Sequence, residues 1–106
     1  MKPLTELIKD PKKILGMEPE ELGPQVLHCL TTGKDIKRAE IAKTLAAPYH
    51  EDFRHKVAHV IEEAIGWLEM QCLMGATPYD QDLIFVTRRG QKFAEEYGEI
   101  PADVTP

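Results

Sequence analysis

His55 and His59 stand four residues apart in a segment of helical periodicity. That spacing puts two imidazoles on one helix face, where they can share a metal. The zinc-protease pattern needs a Glu directly after the first histidine, and Lys56 stands there instead. His28 and Cys29 are adjacent and cannot easily complete such a site. Solvent-facing histidines are the expected reading, with no metal and no other cofactor. Arg54 and Lys56 flank the pair, and further cations stand at Lys37, Arg38, Lys43, Arg88 and Arg89. Side chains of these types hold phosphates and read base edges. Glu62-Glu63 and Glu95-Glu96 are sequence neighbours, so the carboxylates of each pair do not face one another on a helix. Neither a nucleophile elbow nor a phosphate-cradling glycine loop is present in the sequence, and catalysis is not expected.

The elements that must position these residues belong to a chain of 106 residues, the size of one domain. It is 42% hydrophobic and 29% charged, as expected for a globular protein that stays in water. No apolar run approaches the ~20 residues of a membrane span, and the first residues lack the apolar core of a signal peptide. A cytoplasmic location is the expectation. Cys29 and Cys72 fall on apolar helix faces and read as buried free thiols.

Net charge is −5, which argues against a protein that coats nucleic acid through charge alone. The distribution is uneven. Residues 34–60 carry an excess of +2 and residues 75–92 an excess of +1, which leaves −8 for the rest.

Residues 1–17 read as an N-terminal arm of two short helical turns. Leu4, Leu7 and Ile8 form one apolar face, and Asp10-Pro11 starts the second turn. These apolar residues need cover, either from the domain's own core or from a partner. Glu18-Pro19-Glu20-Glu21 opens a helix with acids at the positive end of its dipole. Pro24 either distorts the first turn or begins the regular helix itself, and Gly33 is expected to close it. A short helix over 37–46 follows, stopped ahead of Pro48. Phe53, Val57, Ile61, Ala64, Leu68 and Cys72 make one continuous stripe on a long helix over 51–73. Ile65 lies off that stripe, and Gly75 is expected to end the helix. Residues 73–77 and 83–86 flank a Pro/Asp-rich turn and predict a β-hairpin. Thr87 is a good N-cap for a last helix over 88–97. The domain is expected over residues 18–98, with a loose tail over 99–106.

Helix, short helix, long helix, hairpin, helix is the order of a winged helix-turn-helix. The segment from Gly66 through Trp67-Leu68-Glu69 to Met74 resembles the end of a winged-helix recognition helix. Phe85-Val86-Thr87-Arg88-Arg89-Gly90 resembles the second wing strand and the helix that follows it. Glu18-Pro19-Glu20-Glu21-Leu22, Gly66–Glu69 and Val86–Gly90 are together similar to the N-terminal domain of the Ymh-like family of bacterial proteins, which brings no established activity.

The resemblance implies a mainly α fold with a small β-hairpin and a role in DNA binding, as a small transcriptional regulator acting as a homodimer. Arg54, His55, Lys56 and His59 would then approach the major groove from the long helix. Lys37, Arg38 and Lys43 would hold phosphates from the short helix, and Arg88 and Arg89 would hold backbone beside the wing. Glu62 and Glu63 lie on the same long helix, and acids repel phosphates. The alternative is a protein-interaction module without DNA binding, docking a partner through the arm and the long helix. Trp67, Phe93 and Tyr97 read as core packing in preference to a ligand pocket.

Overall fold

The computed structural model describes residues 1–30 and 35–99. A 3-10 turn at Leu4–Glu6 leads into α1 (Pro11–Leu15), α2 (Pro19–Leu30), β1 (Ile36–Lys37), α3 (Arg38–Ala46) and α4 (Glu51–Met70). The hairpin β2 (Met74–Thr77) and β3 (Asp80–Val86) follows, then α5 (Arg88–Glu99). The expected closing role of Gly33 and the tail beyond residue 99 lie outside the described residues.

Local chemistry sets the starts of the helices. The Asp10 carboxylate accepts from the Lys12 amide at 2.9 Å, and Pro11 takes the first helical position of α1. At α2 the Glu21 carboxylate reaches back to the Glu18 amide at 3.0 Å, one half of a capping box. Pro24 neither breaks α2 nor begins it: the helix runs from Pro19 through the proline to Leu30. The missing amide falls early, one turn after Glu20, and the ring is buried in the core. The Trp67 ring lies directly over Gly23, where a Cβ would stand 2.5 Å from Trp67 Cε3.

α4 is the central post. Val57, Ile61, Ala64 and Leu68 are buried as the stripe requires, and Ile65 is buried beside them. The apolar face is therefore wider than the stripe alone, because α2 packs on one flank and α1 and α3 also lie against the helix. The arm finds most of its cover within the chain: Leu4, Ile8 and Ile14 belong to the main core, while Leu7 of the expected face is exposed. The Tyr49 hydroxyl, buried at the α3–α4 connection, donates to the Ile8 carbonyl at 2.6 Å.

α4 ends three residues before the expected position, and Cys72 ends it, not Gly75. Cys72 adopts φ 59°. Its amide donates to the Glu69 carbonyl at 3.1 Å, and the Leu73 amide donates to the Leu68 carbonyl at 3.0 Å. This is a Schellman closure with cysteine where glycine is usual. The turn takes Cys72 off the apolar stripe, so its thiol is exposed while that of Cys29 is buried. The expectation of two buried thiols is corrected for Cys72.

The expected two-stranded hairpin is part of a three-stranded antiparallel sheet of order β1-β3-β2. Ile36 pairs with Ile84 and Lys37 with Leu83, while Ala76 meets Ile84 from the other side. A strand of two residues carries no readable alternation, which is why the sequence shows only the hairpin. Thr87 caps α5 as expected: its Oγ1 accepts from the Gly90 amide at 2.9 Å and donates to the Cys72 carbonyl at 2.7 Å. The helix continues past Gly98 to Glu99. Among the described residues no helix is long and apolar enough to cross a membrane.

Candidate nucleic-acid interface

The nine basic and histidine positions expected at an interface separate into groups. Arg38, the first residue of α3, faces the C-terminal half of α4. Its Nε and Nη2 donate to one Glu69 carboxylate oxygen at 3.0 and 2.8 Å, and its Nη1 donates to Glu62 at 3.3 Å. The hydrogen bond to Glu69 is the largest cause holding the guanidinium above its ordinary pKa. Arg38 therefore fastens α3 to α4, and its charge is already neutralised. Lys37 is exposed on β1, opposite Leu83.

A second group surrounds the N-terminal half of α4. Arg54 is exposed, yet its Nη2 donates to the Tyr49 carbonyl at 3.1 Å, which fixes the guanidinium against the α3–α4 connection. His55, Lys56 and His59 are exposed on α4, and the two imidazole centroids lie 5.9 Å apart. Lys43 is exposed near the end of α3, beside Glu40, Thr44 and Ala47 around an open hollow. The connection at residues 47–50 brings Lys43 and Arg54 to the same end of the helix pair. His50 caps α4, its Nδ1 accepting from the Asp52 amide at 3.1 Å. An accepting Nδ1 carries no proton, so the nearby Asp52 carboxylate at 3.5 Å is not its ion-pair partner.

Arg88 and Arg89 form the third group, exposed at the start of α5. The Thr87 amide donates to the Leu73 carbonyl at 3.1 Å, which fixes this start just beyond the C-terminal end of α4. Sixteen residues separate Arg54 from the last residue of α4, about 24 Å along the axis. The basic groups therefore stand at opposite ends of α4. The hairpin tip carries Asp80 and Asp82 and no cation, and the Tyr79 hydroxyl there donates to the Asp35 carboxylate.

Trp67, Phe93 and Tyr97 are engaged in packing. Phe93 stacks on Tyr97 with centroids 6.3 Å apart, and the Tyr97 hydroxyl accepts from Gln25 Nε2 at 2.8 Å, tying α5 to α2.

The clamp on Arg38 was not foreseen from sequence. Its only signal is Glu62 and Glu69, two turns apart on one side of α4, facing a helix whose first residue is a cation. No family model matches the chain, and neither a curated protein nor a solved structure matches it.

Proposed function

We propose that this chain is a winged helix-turn-helix domain that binds duplex DNA through the N-terminal half of α4. The observation that carries the reading is the connectivity β1-α3-α4-β2-β3 with β1 paired onto β3. A helix pair framed in this way leaves its second helix open to a groove. On that helix His55, Lys56 and His59 are exposed. Lys43 and Arg54 hold phosphates on either side of the α3–α4 connection. Lys56 holds a further phosphate beside them, and the two histidines face the base edges. Arg38 takes no part, because both of its partners are carboxylates of α4. Lys37, Arg88 and Arg89 stand towards the far end of α4 and contribute a separate backbone contact. Two copies acting as a small regulator double a footprint that is short for one domain.

With Lys43, Arg54 and Lys56 as the main phosphate contacts, the slope of log affinity against log salt is about −3. Fluorescence anisotropy with genomic duplex fragments at low salt tests this. Lys56→Ala is expected to lower the slope by about one, and Arg38→Gln to leave it unchanged. Absence of binding by the folded protein at low salt overturns the reading.

The hairpin tip favours a second reading, a protein-interaction module without DNA binding. Tyr79 is 73% exposed there, beside Asp80 and close to Asp82. Failure to bind DNA, together with a folded partner complex that is lost in Tyr79→Ser, is the outcome this reading expects.

A further inference from the structure

His55, Ala58, His59 and Glu62 line one shallow depression of about 180 Å³ on the exposed side of α4. They occupy positions i, i+3, i+4 and i+7, and therefore share a single helix face. The imidazole rings are 5.9 Å apart between centroids and tilted by 49°. Ala58 has no side chain beyond Cβ, so the floor between them stays open. Among the described residues neither imidazole forms a hydrogen bond or ion pair. Two imidazoles one turn apart suit a divalent transition ion with a taste for nitrogen.

We propose that His55 and His59 chelate a divalent transition-metal ion of the Zn²⁺, Ni²⁺ or Cu²⁺ class, with Glu62 as a carboxylate at the rim. Among the described residues no three His, Cys, Asp or Glu side chains are already gathered into a metal cage. The site is therefore a two-nitrogen chelate, with water filling the remaining positions and Glu62 turning in when the ion binds. Glu62 is free to do so at little cost. Its contact to Arg38 is the longer one, at 3.3 Å, while Glu69 holds the same guanidinium at 2.8 and 3.0 Å. Arg38 thus keeps a counter-ion when Glu62 leaves. The site uses the same two histidines as the proposed DNA contact, but metal titration without DNA tests it separately from that reading.

Calorimetric titration of tag-free protein with Ni²⁺ tests the proposal. One ion per chain is expected for the unaltered protein. Outer-sphere partners alone are worth about ten- to a hundredfold in metal affinity, so His55→Gln and His59→Gln are each expected to weaken binding by at least about tenfold. Glu62→Gln is expected to weaken it less than either. His50→Gln and Cys72→Ser, which alter an exposed imidazole and an exposed thiol just outside the two ends of α4, are expected to leave it unchanged. Both histidines are exposed, so each variant is expected to fold, with circular dichroism as the check. Paramagnetic broadening of imidazole resonances gives a second readout, confined to His55 and His59. Absence of Ni²⁺ binding, or binding that survives both histidine variants, overturns the proposal.

Discussion

The two ends of α4 carry similar residue types and use them in opposite ways. At the C-terminal end, Arg38 is closed into Glu62 and Glu69, Cys72 turns the chain, and Thr87 and Gly90 lock α5 onto that turn. At the N-terminal end, Arg54 is steadied by one carbonyl, while among the described residues His55, Lys56 and His59 carry no ion pair. A cation that faces opposite charge across a helix pair becomes part of the fold. A cation on the outer side of the same helix remains available to a ligand. Sequence charge counts add the two together, although only the second can act on anything outside the chain.

The largest expected effect breaks the C-terminal end. A Cβ at Gly90 would lie 2.1 Å from the Leu73 carbonyl oxygen and 2.8 Å from Val86 Cγ1. The first of these contacts is backbone and cannot swing aside. Gly90→Ala is expected to cost about 3 kcal/mol, read by urea unfolding. A loss below about 1 kcal/mol, within the range of minor substitutions, would show that the α5 junction is looser than this packing requires.

The next effect belongs to the N-terminal end, where the arm packs. Burial pushes the Cys29 thiol from 9.0 up to about 11 and the Tyr49 phenol from 10.0 up to about 12. Both folded values lie above the unfolded ones, so the unfolded chain sheds these protons first as pH rises. Stability is therefore complete below about pH 9 and falls as pH climbs towards 12, by on the order of 2 kcal/mol or more. Tyr49→Phe is expected to flatten the upper part of that decline, at the cost of leaving the Ile8 carbonyl unpaired. Unfolding measured across the alkaline range checks it, and an unchanged profile in Tyr49→Phe would remove Tyr49 from the account.

Cys72 offers a gain. A left-handed residue with a Cβ carries about 1 kcal/mol of strain that glycine lacks. Cys72→Gly is thus expected to raise stability by about that amount, visible as a higher melting temperature. Thr87→Ala at the same junction is expected to cost about 1 kcal/mol, since it strips the cap of α5.

The smallest stability effects separate the two sets of cations. The Arg38 and Glu69 side chains are each about one-third exposed, at 35% and 34%, so Arg38→Gln is expected to cost no more than about 1 kcal/mol. Lys56→Ala is expected to change stability by less than about 0.5 kcal/mol, while the DNA reading proposed above expects it to lower the salt slope by about one. If Lys56→Ala destabilises as much as Arg38→Gln, the contrast between the two ends fails.

Much of this was legible in the chain. Asp10-Pro11, the stripe from Phe53 to Leu68 and the cap at Thr87 all rest on interactions within a few residues, and local chemistry reports them faithfully. The misreadings share one cause. β1 is two residues whose partners lie more than forty positions away. Cys72 owes its exposure to a turn geometry that glycine signals and cysteine hides. Ile65 counts as core only once α4 is seen to be packed from several directions.

The candidate site divides in the same way. Sequence alone determined which residues carry charge or imidazole, and that His55 and His59 share a helix face, because a helix has a fixed period. Only the tertiary structure decided that Arg38 is consumed by Glu62 and Glu69, that Arg88 and Arg89 start a helix beyond the C-terminal end of α4, about 24 Å along its axis from Arg54, and that Leu4, Ile8 and Ile14 of the arm are buried in the domain's own core while Leu7 is not. These outcomes depend on which elements meet across the fold, and residue spacing along one segment does not encode that meeting.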